Sequence, residues 1–116
     1  MKFKFKFQPS DVKRGNVSVS RGGSTDILDM TSDYFKGLVA VFTKVEAQNV
    51  GGSATNVTVN NHKVKIAVDG TYDFAPIIVK YGEKLTVSTD AADIVVNYEY
   101  ILIPRKALEV TTEVNK

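Results

Sequence analysis

The chain has 116 residues, one domain's worth, and 43% of them are hydrophobic, a globular share that excludes global disorder. It has no cysteine, which excludes a disulfide framework and thiolate chemistry. Net charge is only +2, yet residues 1–21 carry six basic side chains against Asp11, while the remainder carries nine basic against twelve acidic. That asymmetry describes a basic arm on an acidic body, able to fasten onto an acidic neighbour, including a second copy.

The kind of hydrophobe points to sheets. There are 17 Val, 7 Ile and 10 Thr against 5 Leu. β-branched side chains are stiff at χ1 and fit a pleated surface better than a helix.

Residues 2–7 alternate strictly between Lys and Phe. Period two puts Phe3, Phe5 and Phe7 on one face and Lys2, Lys4 and Lys6 on the other. This is an amphipathic strand that stops at Pro9, which has no N–H for a ladder. Residues 10–26 are rich in Ser, Gly and charge, and read as a loose connection holding one short strand near Val17 and Val19. Residues 26–36 are ambiguous: Thr31 or Ser32 can cap a helical turn, but Gly37 follows at once. Residues 38–47 are apolar on both faces at first, which a buried helix and a buried strand share, and the β-branched content favours a strand.

From residue 54 the pattern becomes regular. Val57 and Val59 alternate with Thr58 and Asn60, and Asn60-Asn61 suits a hairpin turn. Val64, Ile66 and Val68 are expected to face inward, with Lys63 and Lys65 outward, before a turn at Asp69-Gly70. Residues 74–80 form a strand broken at Ala75-Pro76. Tyr81-Gly82-Glu83 turns the chain, and Leu85 and Val87 then face in. Ile94, Val96, Tyr98, Tyr100 and Leu102 share one face of the longest strand, which Pro104 ends. A polar tail follows, with a short strand at residues 108–114.

Seven to eight short strands with close turn signals predict an all-β chain, a single antiparallel β-sandwich of jelly-roll type with an extended N-terminal arm. The boundaries expected from sequence are an arm over residues 1–30, a sandwich body over 31–104 and a polar tail over 105–116.

Little in the chain points to catalysis. His62 is the lone histidine and falls at the Asn60-Asn61 turn, a poor place for a general base. Asp26, Asp29 and Asp33 would share one face of a helix and could hold a hard cation there, but the calcium-loop pattern is missing, so a solvated acidic turn is the better reading. Asp69, Asp73, Asp90 and Asp93 fall at turns, where Asp binds nearby backbone amides. Asn16-Val17-Ser18 and Asn56-Val57-Thr58 match a short glycosylation acceptor, expected to go unused without a secretory signal. No phosphate-binding glycine loop occurs. Arg21-Gly22-Gly23 stands alone, and a +2 balance is far from a nucleic-acid footprint. The expectation is therefore a chain that is not an enzyme, with no cofactor and no metal. No run approaches the ~18 apolar residues of a membrane span.

Residues 38–104, with Gly82-Glu83-Lys84-Leu85-Thr86-Val87 and the alternating strand over 94–103, resemble the small β-sandwich virion proteins of tailed bacteriophages. Residues 1–30 lie outside the resemblance. It implies a virion component, made in a host cytoplasm: a capsid decoration or cement protein, or an accessory protein of the head–tail region. Its implied partners are other virion proteins and further copies of itself, and it carries over no active-site residues. The Lys2-Phe3-Lys4-Phe5-Lys6-Phe7 arm suits strand addition to an open sheet edge, on its own domain or a neighbour's. The alternative is a carbohydrate- or receptor-binding module of a tail or fibre, with Tyr72, Tyr81, Tyr98 and Tyr100 as stacking faces.

Overall fold

The computed structural model describes residues 12–106. Nine strands occur among them: β1 (Lys13–Val19), β2 (Ser24–Asp29), β3 (Leu38–Asn49), β4 (Thr55–Val59), β5 (His62–Ile66), β6 (Thr71–Asp73), β7 (Ile77–Lys80), β8 (Lys84–Thr89) and β9 (Ile94–Pro104). A 3-10 turn over Asp33–Phe35 separates β2 from β3, and the Ser32 hydroxyl caps it by accepting from the Tyr34 amide.

All pairings are antiparallel. A long sheet has the order β1-β9-β3-β6, with β7 also on β3, and a short sheet has the order β2-β8-β4-β5. β6 pairs with residues 46–48 of β3 and β7 with residues 39–42, so the two are halves of one strand interrupted at Phe74-Ala75-Pro76. Counted that way there are eight strand positions, four per sheet. The chain changes sheet at every other connection except the β4–β5 hairpin, which is the doubled Greek key of a jelly roll.

Each interruption is repaired locally. Where β6 breaks from β7, Asp73 Oδ1 accepts from the Val45 amide at 3.0 Å and the Ala75 amide at 2.9 Å. The Phe74 amide donates to the Val45 carbonyl at 2.8 Å, so β3 loses no partner at the gap. β3 has a bulge of its own between Phe42 and Lys44. The extra residue, Thr43, shifts the phase of the strand. Ala40 and Phe42 face the core before it, and Val45 and Ala47 face the core after it.

The core lies between the sheets, around Phe42, Val45, Val57, Leu85, Val87, Ile94 and Val96, all fully buried. Phe42 packs on the Tyr100 ring at 4.7 Å between centroids and on Tyr98 at 6.3 Å. Gly15 pairs opposite Tyr98, and a Cβ there would meet the Tyr98 hydroxyl at 2.5 Å. The missing side chain is what lets that ring lie across β1.

Two sequence expectations change. β1 and β2 are built into the sandwich, so the body starts at Lys13 and not at residue 31. Lys13, Arg14 and Arg21 therefore belong to the body. Val68 does not face inward: β5 ends at Ile66, and Val68 is exposed beside the Asp69 turn. The Lys/Phe arm over residues 2–7 and the tail strand over 108–114 lie outside the described residues.

Candidate interaction surfaces

The sandwich offers its four edges and its two outer faces. Every edge is blunted. β1 carries exposed Lys13 and Arg14, and the Arg14 guanidinium pairs with Glu99 on β9. β5 carries exposed Lys63 and Lys65. β2 is bent by a bulge between Asp26 and Leu28. β6 and β7 are three and four residues long, with Pro76 between them. Charge, bulges, short strands and proline all discourage uncontrolled edge-to-edge pairing.

The outer face of the short sheet is polar. Ser24, Ser88, Thr58 and Lys63 stand side by side across its four strands. The next row holds Asp26 and Thr86, whose hydroxyl donates to Asp26 Oδ1 at 2.7 Å. Asn60 fixes the row's end: its Oδ1 accepts from the Thr86 amide at 3.0 Å and its Nδ2 donates to the Lys84 carbonyl at 3.2 Å. A shallow open depression of about 360 Å³ lies on this face, bordered by Gly22, Ser24, Asn56, Thr58, Lys63 and Asp90. It is a surface of hydroxyls, amides and one ammonium, suited to hydrogen bonding and not to stacking.

The carboxylate at its rim is already committed. Asp90 Oδ1 accepts from the Asn56 amide at 2.8 Å, and Oδ2 accepts from Asn56 Nδ2 at 2.9 Å. These two donors, with the Thr55 hydroxyl and the Ala91 amide, hold Asp90 down to about 2 against an ordinary 3.8. A carboxylate so acidic is a poor base. Its folded value lies below its unfolded one, so its contribution to stability is complete above pH 3.8 and is lost as pH falls toward 2. The urea midpoint of the protein should therefore drop between pH 4 and pH 2, and Asp90→Asn should flatten part of that drop. An unchanged slope in the variant would refute the assignment. Asp29, lowered by the Thr31 hydroxyl and amide and by Lys84, supplies another part of the drop.

The other polar residues singled out from sequence fall apart as a site. Asp26 and Asp29 lie on β2, each 3.8 Å from Lys84 Nζ, and Asp33 sits in the 3-10 turn, where it accepts from the Tyr81 hydroxyl at 3.2 Å. Among the described residues no three His, Cys, Asp or Glu side chains gather to hold a metal. His62 opens β5, exposed, with its ring edge-on to Phe74 at 5.5 Å and Tyr72 at 6.1 Å. Tyr98 and Tyr100 face the core with Phe42. Burial, with the Tyr98 and Tyr34 phenols nearby, pushes the Tyr100 hydroxyl above its ordinary value. Of the four tyrosines considered for stacking, Tyr72 and Tyr81 are the exposed pair.

The outer face of the long sheet holds a feature that sequence reading did not single out. Val39, Val41, Ile101 and Ile103 form a second apolar cluster, separate from the core. Val41 pairs with Ile101 and with Ile78, Val39 with Ile103 and Lys80. Among the described residues, Val12 is the further hydrophobe packed against them. The signal was present as Val39 beside Ala40 and Ile101 beside Leu102: strands apolar in both phases are covered on both faces.

Among the described residues no helix is long and apolar enough to cross a membrane. Neither a scan against protein-family models nor a search of curated proteins found a match to this chain.

Proposed function

We propose that this chain is a structural protein of a bacteriophage particle, of the capsid decoration or head–tail accessory type, which binds neighbouring subunits and transforms no substrate. The observation that carries the reading is the sheet order, β1-β9-β3-β6 over β2-β8-β4-β5. Jelly rolls of this order are a recurrent choice for viral capsid and lectin domains. Fold alone assigns no function. The reading draws further support from the resemblance of residues 38–104 and from a surface suited to hydrogen-bonded contact, the polar outer face of the short sheet. The arm over residues 2–7 is the added fastener, and closed homo-oligomers are the expected arrangement. Density-gradient-purified particles from a lysate of cells that produce the chain should contain it at a fixed ratio to a capsid or tail protein. Recovery of the chain only in the soluble fraction overturns the reading.

A second reading, a carbohydrate- or receptor-binding module of a tail or fibre, draws on one observation. The Tyr72 ring is 38% exposed and is held upright by Phe74, 4.8 Å away between centroids, with His62 beside it. A glycan array on which the protein binds and Tyr72→Ala does not would favour this reading. An array without signal removes it.

A further inference from the structure

The outer face of the short sheet holds more hydrogen-bonding capacity than the protein itself uses. Among the described residues the Ser24, Thr58 and Ser88 hydroxyls bond no protein group, and Lys63 and Lys65 have no carboxylate within ion-pair reach. The three hydroxyls and Lys63 line the depression on that face, and Lys65 stands beside Asn56 at its rim. We propose that this depression binds an acidic saccharide. The ligand's carboxylate sits on Lys63, and its hydroxyls meet the Ser24–Ser88–Thr58 row and the Asn56–Asp90 pair.

Shape is the first argument, and it follows from side-chain length. Thr58 and Ser88 point outward because Val57, Val59, Val87 and Thr89 take the buried phase of β4 and β8. With Ser24 they make a low floor. Lys63 rises at one end of the row, Asn56 and Asp90 rise along one side, and Gly22 and Gly23 put no side chain over the opening. The volume of about 360 Å³ lies at the small end of ligand sites, about 300–1,000 Å³, and suits a short saccharide.

Chemistry is the second argument. No aromatic or large aliphatic side chain lines the depression, so the apolar anchor of a peptide has nothing to grip. A ligand held there must bring many hydroxyls, each able to donate and to accept, as the row's own hydroxyls do. Neighbouring strands stand about 4.8 Å apart, so successive hydroxyls of the row can engage different oxygens of one sugar ring. Asn56 and Asp90 add a fixed acceptor pair. Asn56 Nδ2 is spent on Asp90 Oδ2 at 2.9 Å, which leaves Asn56 Oδ1 and a lone pair of Asp90 Oδ2 to accept from ligand hydroxyls. The Thr55 hydroxyl and the Asn56 amide hold Asp90 Oδ1 from within, so the pair is set before a ligand arrives.

Charge favours an acidic sugar over a neutral one. Lys63 and Lys65 occupy consecutive outward positions of β5, while Asp90 is the one carboxylate among the described residues that line the depression. Lys63 lies two strand positions from Asp90, so a uronate can place its carboxylate on the ammonium and turn its hydroxyls toward the acceptors. The site differs from a stacking site at Tyr72 in place and in ligand charge. It goes beyond the assembly reading and does not rest on it.

Titration of the full chain with D-glucuronate, followed by amide nuclear magnetic resonance, tests the proposal. Shifts should centre on Ser24, Asn56, Thr58, Lys63 and Ser88 and saturate in the millimolar range, as befits a shallow site without stacking. D-glucose should bind about tenfold more weakly, and Lys63→Met should abolish that difference. Thr58→Val should weaken glucuronate several-fold, and Tyr72→Ala should leave it unchanged. All three positions are outward-facing, and the spectrum of each variant reports directly that the fold is kept. Acetate that reproduces the glucuronate shifts at the same concentration would reduce the site to a bare ion pair and overturn the proposal. So would shifts centred elsewhere, no saturable shift, or a Lys63→Met or Thr58→Val variant that binds glucuronate as the parent does. Absence of the protein from particles would remove the proposed function and leave these outcomes untouched.

Discussion

Phe42→Ala should lower the stability of the protein by about 3–5 kcal/mol, the range for truncating a buried Phe. Phe42 is fully buried in the core cluster and packs at a tilt against the Tyr100 and Tyr98 rings. Three sources of loss add up at this position: the transfer of the ring, the cavity it leaves, and the aromatic contacts. Relaxation is restricted because β3 is central in the long sheet, held by β9 on one side and by β6 and β7 on the other. For a domain near this size the melting temperature should fall by roughly 15–25 °C. Phe42→Leu, which keeps most of the volume, should recover more than half of that loss. Calorimetry of the two variants checks the prediction, and a fall of only a few degrees for Phe42→Ala would mean that the site collapses freely.

The second large effect is expected at Asn49, which is fully buried at the end of β3. Its Nδ2 donates to the Ser53 carbonyl at 2.8 Å and the Ile66 carbonyl at 3.2 Å, and its Oδ1 accepts from the Gly51 amide at 2.9 Å. One side chain thus satisfies three backbone groups and ties the Gly51-Gly52-Ser53 turn to the end of β5. Asn49→Leu fills the space but leaves all three groups without their partner. Each buried orphan costs about 1–3 kcal/mol, so a total loss of about 3 kcal/mol is expected from partial solvent rescue at the turn. Asn49→Asp adds a signature. Its carboxylate would face two carbonyl oxygens, which raises the folded-state pKa of the new group. That variant should be relatively more stable at pH 4 than at pH 7, the opposite of the Asp90 trend. Urea unfolding at pH 4 and pH 7 checks this, since the Asp90 contribution is complete above pH 3.8 and leaves that window to the new carboxyl.

The hairpin half of the fold was legible in the sequence because its signals are local. Asn60 and Asp69 do adopt positive φ, and Leu85, Val87 and the five apolar residues from Ile94 to Leu102 face the core. β1 and β2 were harder to read. β1 is written Lys-Arg-Gly-Asn-Val-Ser-Val and lies on an edge, so little of it is apolar. β2 has a bulge at Ile27, which breaks the period of two that a strand is recognised by. The bulge at Thr43 explains the ambiguity of residues 38–47: a phase shift and an outer apolar patch together make every position look buried. The polar outer face was legible one strand at a time, as Thr58 or Ser88 pointing out. The row of Ser24, Ser88, Thr58 and Lys63 was not, since it exists only through pairings between distant segments. The outer apolar patch was not legible either, because Val41 and Ile101 are joined by register and not by proximity along the chain.

The sheet order also constrains how the protein can be made. β8 and β9 are the last of the described strands to be synthesised, and each occupies the middle of a sheet, β8 between β2 and β4 and β9 between β1 and β3. Until they emerge from the ribosome, β1 and β2 have no partner, β3 can pair only with β6 and β7, and β4 only with β5. Arg14 waits for Glu99, 85 positions later. The sandwich therefore cannot close until β9 has been made, and with so much non-local pairing its folding belongs among the slow topologies, milliseconds to seconds. During that interval the unpaired strands are exposed to their counterparts on neighbouring nascent chains. The lysines, bulges and proline that blunt the finished edges are then as much a safeguard for the newborn chain as for the folded one.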